Sequence, residues 1–154
     1  MGERVELGHI IYVVFETQWM TQLGSGADAK IPRNRYLLVR VSAANSGVAE
    51  TIVPSMTLLD DDGKEYTELT DAEGAPHWLG VLRQARPAEA AQGNVVFDAP
   101  PRHYKLRLTD ENEQKIAFVD LPLSFEQPLP LNKENPEMPM TDPQKGQAPP
   151  TANR

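Results

Sequence analysis

From Tyr36 to Gly47 the chain reads Tyr-Leu-Leu-Val-Arg-Val-Ser-Ala-Ala-Asn-Ser-Gly, and its side chains alternate with a period of two. Leu37, Val39, Val41 and Ala43 point one way; Leu38, Arg40 and Ser42 point the other. Asn45-Ser-Gly47 then supplies turn chemistry. Three more stretches carry the same signature: Thr57-Leu-Leu-Asp-Asp-Asp-Gly-Lys-Glu-Tyr66, Gly93-Asn-Val-Val-Phe-Asp-Ala-Pro100 and Tyr104-Lys-Leu-Arg-Leu-Thr-Asp110. Each reads as a β-strand with a turn at its edge, and together they outline an antiparallel β-sandwich.

The rest of the chain fits the same plan. Arg4–Gly8 is a short strand and turn, and Ile11, Val13 and Phe15 alternate with Tyr12, Val14 and Glu16 in the next strand. Gln22–Asn34 holds Gly24-Ser-Gly26 and Pro32, a loop long for a sandwich connection. Met56 and Leu58 are expected inward, and Asp61-Asp-Gly63 makes a hairpin turn. Trp78-Leu-Gly-Val-Leu82 reads as a short strand and Pro87–Ala91 as one helical turn. Gly93 opens a strand with Val95 and Phe97 inward. Tyr104, Leu106 and Leu108 follow, then the polar hairpin Asp110–Glu113 and a last strand with Ala117, Val119 and Leu121. The expectation is an all-β fold of about eight or nine strands over residues 3–126. A closed eight-stranded barrel would show similar periodicity, and the unequal loops favour the sandwich. From 127 to 154 the composition changes: half of the 14 prolines fall there and no period survives. That stretch reads as a disordered Pro-rich tail or linker, in which Pro128-Leu-Pro-Leu131 and Pro136-Glu-Met-Pro-Met140 could favour polyproline II.

Charge and composition remove several function classes. The chain of 154 residues has no cysteine, which excludes disulfides, Cys-zinc sites, iron–sulfur clusters and thiol nucleophiles. Its net charge of −7 lies in the body, because Lys133, Lys145 and Arg154 offset Glu134, Glu137 and Asp142 in the tail. Such a body repels a phosphate backbone, so no nucleic-acid partner is expected. Arg33, Arg35 and Arg40 are the nearest thing to a basic patch. No apolar run approaches the ~18–20 residues that span a bilayer. Met1 is followed by Gly-Glu-Arg-Val-Glu, which reads as no signal peptide, and Glu6 stands where a myristoylation motif wants Ser or Thr.

No catalytic constellation emerges. No serine lies in Gly-x-Ser-x-Gly, and neither a P-loop nor Gly-x-Gly-x-x-Gly occurs. His9, His77 and His103 have no partner at metal-ligand spacing; a copper or zinc site would have to gather them through the fold, with Met20 or Met56. Asp60, Asp61 and Asp62, joined by Asp71, Glu73 or His77, could collect a cation in loops, though their spacing fails the EF-hand pattern and suits an Asx/Gly hairpin turn. For recognition of a partner, Trp19, His77 and Trp78 stand out, since tryptophan is enriched at interface hot spots. Both tryptophans could equally plug the ends of the core.

The succession of a strand ending in Asn45-Ser-Gly47, then Leu59-Asp-Asp-Asp-Gly63 and Tyr66, then Gly93-x-Val-Val-Phe-Asp-x-Pro100, then Leu106-x-Leu-x-Asp110, is similar to a bacterial family of immunoglobulin-like domains of unknown function. That family is related to the mycobacterial immunoprotective secreted antigen and often carries a telomeric-repeat-binding-factor label, which does not suit an acidic β-sandwich. The resemblance spans about Val5 to Phe125. It implies an immunoglobulin-like sandwich placed outside the cytoplasmic membrane, secreted, periplasmic or lipid-anchored, which requires an export segment trimmed ahead of Met1. It supplies no catalytic residues. The resulting expectation is a non-enzymatic interaction module without cofactor that recognises a protein partner. The alternative is a small-ligand or metal-ion domain using the loops at one end.

Overall fold

A computed structural model describes residues 2–123; the Pro-rich stretch and the boundary at residue 126 lie outside them. Ten strands run in chain order: β1 (Arg4–Leu7), β2 (Ile10–Met20), β3 (Arg35–Asn45), β4 (Thr51–Ile52), β5 (Thr57–Asp60), β6 (Glu65–Thr67), β7 (Gln84–Ala85), β8 (Ala90–Ala99), β9 (Tyr104–Thr109) and β10 (Ile116–Leu121). Two four-stranded sheets, β1-β2-β3-β8 and β10-β9-β5-β6, and a two-stranded ribbon, β4-β7, account for all of them. Every strand pairing is antiparallel. The order β2-β3-β8 in one sheet and β10-β9-β5 in the other is the Greek-key arrangement of an immunoglobulin-like sandwich.

The core forms because each long strand buries alternate residues. Leu37, Val39, Val41 and Ala43 of β3 meet Val95 and Phe97 of β8, and Leu58, Leu106 and Leu108 face them from the second sheet. In β2 the inward face is Ile10, Tyr12 and Val14, leaving Phe15 at the surface. A bulge between Val14 and Glu16 accounts for Phe15, which has no partner on β3 and is turned out. Tyr12 is buried with its hydroxyl donating to the Thr109 carbonyl at 2.7 Å, which ties the two sheets together.

The other face of the first sheet carries a second, smaller core. Tyr36, Leu38 and Val96 are covered there by Leu23 from the β2–β3 loop and Ala72 from the segment after β6, with Leu69, Ala75 and Trp78 at its margin. That segment runs along the outer edge of β8. Leu69 N–H donates to Val96 O, Asn94 N–H to His77 O and Leu79 N–H to Asn94 O. It stands where a fifth strand would pair, but forms only an isolated parallel bridge, Trp78 with Asn94. The strand expected over Trp78–Leu82 is therefore one bridge followed by irregular chain.

Two further expectations change. Pro87–Ala91 is not helical: Glu89 N–H donates to Arg86 O across Pro87-Ala88, and Ala88 has φ 69°, the geometry of a type II turn with alanine where glycine is usual. β8 then begins at Ala90, so Gly93 lies inside the strand. A Cβ at Gly93 would sit 2.6 Å from the His77 carbonyl, so the glycine is what lets the covering segment approach.

Candidate functional site

The residues nominated from sequence do not converge. Trp19, near the end of β2, is half-buried against the main core with its ring 6.4 Å from that of Tyr104. Trp78 packs on the second core, and its indole N–H is buried without an acceptor. His77 beside it is exposed, at φ 51°, with its carbonyl committed to Asn94. The tryptophans thus serve two different apolar clusters. Arg33 and Asn34 hand their backbone N–H groups to the Asp98 carboxylate, which fixes the loop entering β3.

Of the acidic turn, Asp60 is buried and used up locally. Its Oδ1 accepts from Asp62 N–H at 2.9 Å and Lys64 N–H at 2.8 Å, while Arg102 donates to Oδ2 at 3.1 Å. The Lys64 N–H, with Asp62 and Arg102 behind it, holds its carboxyl below the usual range. Gly63, at φ 86°, closes the hairpin. Asp61 turns outward to His103 Nδ1 at 2.8 Å, and Asp120 of β10 takes Nε2 of the same ring. Asp120 first and Asp61 second raise the pKa of His103. Among the described residues no group of three or more histidine or carboxylate side chains is arranged to hold a metal ion.

The opposite end of the sandwich carries features the sequence did not nominate. Glu111, in the β9–β10 hairpin, accepts from His9 N–H at 3.0 Å and meets His9 Nδ1 at 2.6 Å. The His9 N–H holds its carboxyl below the usual range. This pair lines a cleft of about 190 Å³ whose other walls include Asn45, Gly47, Val48 and Glu50. Asn45 is buried and shapes it, its amide donating to Ala49 O and Ala85 O at 2.8 Å each.

Beside the cleft rises the β4–β7 ribbon. Thr51 pairs with Ala85 and Ile52 with Gln84; Val53 N–H donates to Arg83 O at 2.8 Å. Val53, Arg83 and Ala85 face inward, so alternation turns Ile52, Leu82 and Gln84 outward on one face. Leu82 is 85% exposed, Ile52 54% and Val48, at the cleft, 99%. Single exposed aliphatics are ordinary, whereas three brought to one ribbon and its approach make a surface.

Beneath the ribbon lies a buried ion pair. Arg83 donates to the Glu68 carboxylate, to Gly80 O at 2.8 Å and to Pro54 O at 3.3 Å; Glu68 also accepts from Met56 N–H at 2.6 Å. Both side chains are almost wholly enclosed. Burial lowers the Arg83 pKa, opposed by Tyr12. Nothing local in Val81-Leu-Arg83 or Leu69-preceding Glu68 marks these charges as internal, because their pairing spans 15 positions.

The chain belongs to the family described as Domain of unknown function (DUF4352), whose model matches residues 1–116. No curated protein matches it. Among solved structures it is similar to the yjhA protein of Bacillus subtilis, with TM-score 0.61 and 17% identity over 79% of this chain and 97% of that one. It is also similar to a putative lipoprotein (ycdA) of Bacillus subtilis, with TM-score 0.56 and 16% identity over 80% of this chain but only 39% of that one. A conserved hypothetical protein of Bacillus anthracis gives TM-score 0.55 and 14% identity over 79% and 93% of the two chains. These likenesses show the fold. No helix among the described residues is long and apolar enough to cross a membrane.

Proposed function

We propose that this chain is a non-enzymatic, extracytoplasmic interaction module that recognises a protein partner through the β4–β7 ribbon and the adjoining cleft. The observation that carries the reading is the outward apolar face of Ile52 and Leu82, with Val48 beside it. An apolar centre rimmed by polar residues is the usual anatomy of a protein-recognition patch. Glu50 and Glu111 line the cleft, and the net charge is −7, so the complementary partner presents an apolar anchor flanked by lysine or arginine. The extracytoplasmic place is supported by the family resemblance and by the likeness to a protein described as a lipoprotein; the link to the mycobacterial secreted antigen belongs to the same reading. Of the three residues nominated for partner recognition, Trp19 and Trp78 pack on the two cores, and His77 is exposed beside Trp78.

A photo-reactive residue at position 82, introduced into the protein in its native cells, tests this. A discrete cross-linked product is expected, lost on Ile52→Asp and absent when the photo-reactive residue replaces Glu16. A ladder of unspecific products equal at both positions would sink the proposal.

A further inference from the structure

Among the described residues β10 is an edge strand, and its outer edge has a defined hydrogen-bonding parity. Asp110 N–H donates to Lys115 O at 3.1 Å at the mouth of the β9–β10 hairpin, and Ala117, Val119 and Leu121 lie at the alternate positions that follow, opposite Leu108, Leu106 and Tyr104. In an antiparallel ladder such alternate residues exchange backbone bonds with the neighbour. The backbone groups of Ile116, Phe118 and Asp120 therefore face away from β9, and no described residue bonds to them. The side chains of Ile116 and Phe118 stand on the outer face, 54% and 51% exposed. An edge strand with free backbone groups and an apolar face is a template for another strand.

We propose that β10 pairs with β10 of a second copy of this chain, antiparallel about a two-fold axis, joining two four-stranded sheets into one of eight. The strand sequence selects both the occupant and the register. For the two cores to lie on the same side of the joined sheet, residues of like parity must face each other. Centring on Phe118 sets Ile116 against the partner's Asp120. Centring on Val119 sets Phe118 against the partner's Asp120. Centring on Ala117 sets Ile116 against the partner's Phe118, and Phe118 against the partner's Ile116. Both are outward-bonding pairs, so the junction gains four backbone hydrogen bonds and an unbroken apolar strip. In that register Asp120 faces the partner's Gln114, and no like charges oppose each other. A strand that complements itself this way is what an isologous interface requires. The junction leaves the β4–β7 ribbon uncovered, so this proposal does not depend on the preceding one.

Sedimentation of the full chain from about 10 μM to about 1 mM reads the association directly. The mass is expected to climb from 17.1 kDa toward twice that value. Phe118→Lys should weaken the dimer at least tenfold with an unchanged melting temperature at about 10 μM, where both proteins are monomeric; Ile116→Lys repeats the test should the first variant fold poorly. The chain has no cysteine, so register can be read by disulfide. Ile116→Cys mixed with Phe118→Cys should oxidise to the mixed dimer in preference to either homodimer, since a hydrogen-bonded pair stands ~5.5 Å apart at Cα, within disulfide reach. A monomer at every concentration overturns the proposal, as does a dimer indifferent to Phe118→Lys or cross-linked best between two copies of Phe118→Cys.

Discussion

The two flanks of the sandwich are finished differently. On one, the edge of β8 is covered: Leu69 and Asn94 make backbone bonds between it and the segment that follows β6, and Trp78 and Ala72 close a second core above Leu38 and Val96. On the other, one side of the β10 backbone has no partner among the described residues, and Ile116 and Phe118 are exposed. The covered flank had to admit a charged pair and a strained histidine. Glu68 and Arg83 stand at the two ends of the covering segment, and His77 adopts φ 51° where its carbonyl meets β8. Shielding an edge by irregular chain thus demands local concessions that a bare edge avoids, and the bare edge keeps the capacity to pair.

Breaking the cover should have the largest effect. Arg83→Met leaves Glu68 buried and unpaired, and a loss of about 3–5 kcal/mol is expected on chemical denaturation. The double variant Arg83→Met with Glu68→Leu should recover most of it, because two apolar side chains need no counter-charge. If the double variant is as unstable as the single, the pair does more than neutralise itself. Next comes Gly93→Ala. Its methyl group would meet the His77 carbonyl, so about 2–3 kcal/mol should be lost, and hydrogen exchange should quicken at Asn94 and Leu79 before it does in β9. Uniform quickening would mean that the cover and the sandwich unfold together.

The open flank sharpens the contrast through pH. His103 joins Asp61 of the β5–β6 hairpin to Asp120 of β10, and its pKa is raised in the folded chain. A raised pKa means the contribution is complete below the unfolded value near ~6.5 and is lost as pH rises through the folded value. Amide exchange at Val119 and Leu121, corrected for its intrinsic pH dependence, should therefore show less protection at about pH 8 than at about pH 6. His103→Gln should abolish that difference, and its persistence would remove the histidine from the account. The smallest effect serves as a calibration away from both flanks. Ala88→Gly relieves a positive φ in the turn before β8 and should stabilise by about 0.5–1 kcal/mol, leaving exchange at both edges otherwise unchanged.

Strand positions were legible wherever one face is buried and the other is not. β9 alternates cleanly, and Tyr104, Leu106 and Leu108 lie inward as their spacing requires; Leu37 and Leu58 also lie inward, although the second core buries Leu38 on the other face of β3. Ile10, Tyr12 and Val14 were less legible, because β2 is apolar on both faces at its start and the bulge at Phe15 shifts the register. Gly93 read as strand punctuation, although its role is set by a backbone 16 residues earlier in the chain. Pro87–Ala91 carries helix-forming alanines, but Pro87-Ala88 must reverse the chain into β8 and tertiary pairing overrides propensity. The ribbon surface was missed for the same reason: Ile52 and Leu82 are ordinary in sequence and come to one face only once β4 meets β7. The acidic turn was legible both as candidate chemistry and as an Asx/Gly hairpin, and Asp60 accepting two backbone N–H groups is that hairpin.

The Glu68–Arg83 pair has one more consequence. It closes a loop across 15 positions, as a disulfide would, and such a closure confines the excursion between its ends. A disulfide makes that closure contingent on an oxidant and reversible by thiols. Here the clasp is electrostatic and the chain has no sulfhydryl to oxidise. The fold is therefore completed by the same bond in a reducing compartment and an oxidising one, and its maturation owes nothing to the redox potential of the place in which it works.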